Sequence, residues 1–238
     1  MEKPRNLLLF GLIIGASLII TGAVISRTLL DVKELDNVIS VSGSAKQTVT
    51  SDSARWTGSF SRTTLKDQLK DGYAAMKGDE KIVSDFFKSQ GFTNVEISPV
   101  FMNEVYKNDS NAPKEYNLIQ NIEIKSDDVN KMKELAKNSD QLANQGVVFS
   151  ANSVEYYYSK LPDLRVSLLP EAIKDAKNRA GSIAESSGKQ VGSIKSVSMG
   201  VVQVMSVGSI DVSDYGSYDT SNIEKEVMIT VKTVFGLK

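Results

Sequence analysis

The sequence predicts an α+β domain held outside the cytoplasm by one N-terminal membrane helix. Three observations support that reading. Leu7 to Ile25 is a 19-residue run without a charge; short stretches alternate apolar with polar residues; and three longer segments repeat apolar residues at helical spacing.

The run reads LLLFGLIIGASLIITGAVI. At 1.5 Å per residue it covers roughly 28 Å, close to the hydrocarbon core of a bilayer. Lys3 and Arg5 precede it, and positive residues stay on the cytoplasmic side. The expected topology is a single pass through the inner (cytoplasmic) membrane, N-terminus cytoplasmic and domain periplasmic or otherwise extracytoplasmic. A cleaved signal peptide is the competing reading. Its apolar core usually runs about 7–15 residues before a small-x-small site. Here the run is longer, and Gly22-Ala23-Val24 lies inside it. Gly11 and Gly15 form a G-x-x-x-G pair, a spacing that lets helix backbones approach closely. Glycine is also frequent in membrane helices for no such reason. The expected division is residues 1–26 as cytoplasmic tip and anchor, 27–37 as linker, and 38–238 as the domain.

Within the domain, Val38 to Gly43 alternates like a half-buried strand, and Gln47 to Phe60 is a second extended stretch with the only tryptophan, Trp56. Leu65, Leu69, Met76, Val83, Phe86 and Phe87 then mark one face of a long helix that Gly91 stops. Strands are expected over 95–106 and 116–125, a helix over 128–144 begun by Asp127 and Asp128, and a strand over 147–158. A third helix, about 163–187, carries Ile173, Ala176, Ala180, Ile183 and Ala184 at helical spacing, with Pro170 starting or kinking its second part and Gly188 ending it. Two more strands, 193–205 and 226–235, flank a loop, Ser206–Asn222, expected to be mobile or partner-dependent. Several apolar and glycine positions recur at an offset of 97, as in Gly91 and Gly188 or Ile97 and Ile194, which suggests two β-α-β-β units.

Composition excludes much chemistry. The chain has no cysteine and no histidine, so disulfides, thiolate nucleophiles, Ser-His-Asp triads and the usual zinc, copper or iron ligands are absent. Net charge is −1, which gives nucleic acid nothing to recognise. Asp79-Glu80 and Asp127-Asp128 are adjacent carboxylates, but neighbours on a helix diverge, so they read as solvated helix faces or starts. Asp211, Asp214 and Asp219 lack the residue order of a calcium loop. A Ser-Lys dyad needs neither His nor Cys, and Ser44/Lys46 and Ser159/Lys160 supply the types only. No enzyme, no cofactor and no metal are expected.

Two sets of residues carry a family resemblance. One is Val41-x-Gly43 followed by Asp52-x-Ala54. The other is Ala172 to Ala180, containing Asp175, Ala176, Arg179 and Ala180, followed by Ile183-Ala184, Gly188 and Val191 to Ile194. Together they resemble the SIMPL-domain family, a domain of unknown function (DUF541), over about residues 38–236. Ala45 stands where the family often has a second glycine. Members include bacterial periplasmic immunogenic and oxidative-stress-defence proteins. The resemblance implies an oligomer, ring-like or channel-like, with a link to stress tolerance. Read residue by residue, these positions are structural: Gly43 a turn or bulge, Asp175 and Arg179 an i,i+4 pair, and the alanines a close-packing face. The leading expectation is therefore a homo-oligomeric, non-enzymatic envelope protein. A monomeric or dimeric binding module for an envelope ligand or partner is the alternative, for which Tyr156-Tyr157-Tyr158 and the Tyr215/Tyr218 loop offer contact area. Elemental analysis of the purified protein should find no stoichiometric zinc, copper or iron, and chelation should leave thermal unfolding unchanged.

Overall fold

The computed structural model describes residues 3–35, 37–109 and 112–238. Helix α1 spans Lys3–Leu35 without a break. Its stretch Leu9–Leu30 has a mean hydropathy of 2.3 and no buried residue. Residues 27–35, assigned above to a linker, are thus helical and lead almost directly into strand β1 (Val38–Thr50). The fold is α+β, and the chain divides into two compact units. One comprises residues 1–45, 168–201 and 229–238; the other comprises 46–167 and 202–228.

The larger unit is built on β2 (Ser53–Leu65), separated from β1 by the turn at Ser51 and Asp52. A 3-10 turn (Lys66–Gln68) leads into α2 (Leu69–Ser89), then β3 (Val95–Ile97), β4 (Phe101–Val105) and β5 (Glu115–Ser126). Helices α3 (Val129–Asn138) and α4 (Gln141–Asn144) follow, then β6 (Val148–Ala151) and β7 (Glu155–Tyr157). β2 is central: it pairs antiparallel with β5 from Ala54↔Ser126 to Leu65↔Glu115, and also with β6 and β7. β3 and β4 pair with β5. Residues of even number on β2, from Ala54 to Phe60, are buried, as the two-residue period of a one-sided sheet requires. Trp56 and Phe60 meet Met76, Val83, Phe86 and Phe87 of α2, with Met132 and Leu135 of α3 and Leu142 of α4. Trp56 stacks on Phe149 at 5.7 Å and meets Phe87 edge-on at 5.5 Å. Phe149 occupies the space a side chain on Gly58 would need, since a Cβ there would lie 2.6 Å from its ring.

α2 ends in a Schellman motif at Gly91, φ +79°, where Phe92 N–H donates to Phe87 O and Gly91 N–H to Lys88 O. Of the adjacent carboxylates Asp79 and Glu80, Glu80 is exposed as expected but Asp79 is not. Asp79 is 1% exposed and takes a bidentate pair from Arg62 of β2, and Glu80 accepts from Gln120 of β5 at 2.9 Å. Both carboxylates tie α2 to the sheet, which adjacency in sequence does not reveal. Asp128 caps α3 through Lys131 N–H at 2.9 Å, as expected.

The smaller unit contains the end of α5 (Leu161–Ser186), which continues through Pro170, then β8 (Val191–Met199) and the second part of β11 (Glu224–Leu237). The expected single strand over 193–205 is two, β8 and β9 (Gln203–Ser206). β8 pairs antiparallel with Val231–Leu237, and β9 with Lys225–Met228. A short β10 (Ser217–Tyr218) lies parallel to β9. β7, the strand before α5, pairs with β2, whereas β1 lies beside β11. The first β-α-β-β unit is thus present as β2, α2, β3/β4 and β5 in one sheet, whereas the strands around α5 do not form a second consecutive block.

Gly43 of β1 sets the spacing in this unit. A Cβ there would lie 2.3 Å from Ala172 O, 2.4 Å from Ala176 N and 2.7 Å from Ala176 Cβ. Backbone atoms of a helix cannot yield singly, so Gly43→Val should destabilise the full-length protein in detergent by about 3 kcal/mol or more in urea unfolding. Gly78 of α2 has nothing within 4 Å of the same construction. Gly78→Ala should instead stabilise by roughly 0.5–1 kcal/mol through helix propensity.

Candidate functional site

The motif residues fall into two clusters, one in each unit. In the smaller unit the Gly43 contact brings the next amide, Ser44 N–H, to Asp175 Oδ2 at 2.9 Å. Arg179 Nε reaches the same oxygen at 2.9 Å, one helical turn on. Ser44's amide, then Arg179, hold the Asp175 carboxyl below the ordinary carboxylate range. Ala176 and Ala180 are fully buried. Gly188 has φ +71° and closes α5 with a Schellman pair, Lys189 N–H to Ala184 O and Gly188 N–H to Glu185 O.

In the larger unit Asp52 accepts from Ser159 twice, from N–H at 2.7 Å and from Oγ–H at 2.8 Å, just ahead of α5. Asp52 N–H in turn donates to Tyr157 O. Ala54, 1% exposed, faces Tyr156 across β2 and β7 in the core. Ser159 is thereby committed to Asp52, and Lys46 is paired with Glu226 at 3.0 Å. Neither Ser-Lys candidate is assembled as a nucleophile with a free amine.

This arrangement of strands, glycine contact and capped helix accompanies a match to a family model over residues 39–235, described as SIMPL, protein of unknown function (DUF541). The chain belongs to the SIMPL family. No curated protein matches it. In this SIMPL chain Gly43, Asp52, Asp175 and Gly188 each hold backbone in place.

Three surfaces stand out. The first is an open depression of about 480 Å³ in the larger unit, with Glu96, Glu123, Asn121 and Asn152 around Thr57 and Gly58. Thr57, Ser98, Asn121 and Asn152 share its lining with Ile97, Ile122 and the carboxylates of Glu96 and Glu123; Glu123 is paired with Lys125 at 2.5 Å. The second is the loop between β9 and β11. Within this segment, expected to be mobile or partner-dependent, the base is pinned. Gln203 binds Ser213 and Ser217, and the fully buried Lys225 donates to the carbonyls of Asp219 and Asn222. Burial pushes the Lys225 ammonium below its ordinary value, opposed by the charge of Asp219. The loop's apex stays open, with Ile210 92% and Tyr215 96% exposed. The third is β8, whose Ile194, Val197 and Met199 are about half exposed. Of the tyrosine run, Tyr156 is core, whereas Tyr157 donates to Glu155 at 2.8 Å and Tyr158 N–H donates to the Tyr218 hydroxyl. On α1, a Cβ at Gly11 or Gly15 would meet nothing within 4 Å.

The depressed Asp175 fixes the sign of a pH effect. A folded-state pKa below the unfolded value stabilises the protein above the unfolded pKa, about 3.9 for Asp, and that contribution disappears as pH falls through the folded value. Asp175→Asn should therefore lower the unfolding midpoint at pH 7, and the gap to the unaltered protein should close as pH falls below about 4.

Proposed function

We propose that this SIMPL protein is a non-enzymatic envelope component that self-associates while anchored in the inner membrane, its domain on the extracytoplasmic side. The observation that carries the anchoring is α1: an exposed apolar stretch of 22 residues, preceded by Lys3 and Arg5 and continuous as helix to Leu35. A helix of that length and composition suits a bilayer, and its basic flank favours a cytoplasmic N-terminus. Self-association draws on exposed apolar surface on β8 and the loop apex, and on confinement to a membrane plane, which raises effective concentration enough for weak contacts to matter. A ring-like or channel-like form and a part in stress tolerance rest on the family resemblance. The depression beside Thr57 supports a second reading, a monomeric or dimeric binding module for an envelope ligand or partner protein.

A reporter active only outside the cytoplasm, fused after Lys238, should be active, and a cytoplasm-dependent one silent. The reverse pattern would defeat the proposed topology. Light scattering on detergent-purified full-length protein should give a defined oligomer; a monomer would favour the binding module.

A further inference from the structure

β8 carries apolar residues on a face that the described residues cover only in part. In an antiparallel ladder, directly opposed residues project to the same side. Met199, Val197 and Ile194 are opposite Val231, Thr233 and Phe235 of β11. The three β11 residues are fully buried, whereas their partners are 43%, 43% and 46% exposed. The apolar face thus continues from β11 onto β8, where its cover is only partial. β8 pairs with β11, and among the described residues no strand lies on its other edge. An apolar strand with a free edge is a template for another strand.

The same chain carries a segment fitted to that template. Residues 209–213, Ser-Ile-Asp-Val-Ser, belong to no helix or strand, and Ser213 at their end is held by Gln203. Ile210 is 92% and Val212 64% exposed. In extended form, alternation would place Ile210 and Val212 on one face and Asp211 on the other. The charges complement each other as well. Residues 168–201 and 229–238 hold seven basic side chains against three acidic, including Lys195 on β8 and Lys232 on β11. The apex from Val207 to Tyr215 carries Asp211 and Asp214 and no basic residue. Lys232 lies opposite Ser198, on the face away from the apolar row. Asp211 would point to that same side once Ile210 and Val212 cover Val197 and Met199.

We propose that residues 209–213 of one copy add as a strand to the free edge of β8 in a neighbouring copy. This rests on the self-association reading and names its contact surfaces. The contact joins two different patches, so it is head-to-tail and can repeat from copy to copy. Main-chain hydrogen bonds supply the attachment, and the apolar row with its charges selects the segment. Few side chains are buried in it, so it depends on the high local concentration that a common membrane provides.

The absence of cysteine allows a direct test. Two full-length copies with different tags, one Ser209→Cys and the other Ser196→Cys, are co-expressed and treated in membranes with a short thiol crosslinker. A mixed dimer is expected, at least fivefold above either variant alone, and Ile210→Asp with Val212→Asp in the first copy should reduce it by at least fivefold. A chain carrying both cysteines should give a ladder of higher oligomers. Crosslinking only within one chain, only between identical positions, or to another protein would overturn the proposed contact. An absent mixed dimer from protein that still scatters light as an oligomer would overturn the contact and leave self-association standing. An absent mixed dimer from monomeric protein would overturn both.

Discussion

The smaller unit depends on a contact that admits no side chain. Gly43 stands where a Cβ would fall within 2.4 Å of the carbonyl oxygen of Ala172 and the amide nitrogen of Ala176. Strand and helix therefore meet backbone to backbone, and the residues around the contact follow from that proximity. Ala172, Ala176, Ala180 and Ala184 are buried because larger side chains would hold the helix away. The Ser44 amide, turned toward α5, needs an acceptor, and Asp175 supplies it while Arg179 steadies the carboxylate. One missing side chain explains four of the family-motif positions.

The larger unit follows a different plan. Its central strand β2 is flanked by β5 on one side and by β6 and β7 on the other, and its buried face holds an aromatic cluster around Trp56. Here too a glycine matters, because Gly58 leaves room for Phe149 to lie along the indole. The charged and donor groups that enter this core arrive paired, although Gln120 Oε1 is buried without a partner. Arg62 meets Asp79 in a bidentate pair, and Gln120 donates to Glu80 and to Ser98 O. A buried charge without such a partner would be far more costly than the pair.

A family signature need not mark a reaction centre. In this chain the signature residues cap a helix, admit a close approach, or satisfy a backbone donor. Surfaces open to other molecules include the depression beside Thr57, the Ile210–Tyr215 apex and the partly covered row on β8, to which Ile194 of the signature belongs.

Much of the fold was legible in the sequence because it rests on local periodicity. The uncharged run from Leu7, the three helical segments with Gly91 and Gly188 at two of their ends, and the two-residue alternation of the strands each follow from a few neighbouring side chains. Asp128 as a cap and Asp175–Arg179 as a pair were readable for the same reason. Partners far apart in sequence were not. Nothing local distinguishes Asp79 as buried, since its partner Arg62 reaches it across the packing of α2 on β2. Nor could the sequence divide residues 193–205 into β8 and β9, because that break is set by two separate registers against β11. The loop's fixed base came from Gln203 and the buried Lys225, whose acceptors are backbone carbonyls that residue type does not identify. Local chemistry determined most of the elements and the excluded reactions, but not every end: residues 27–35 are helical, and the helix expected over 128–144 is α3 and α4. Only tertiary structure decided which strands pair, which charges are buried and which apolar residues are left exposed, because those outcomes depend on distances between segments the chain brings together by folding.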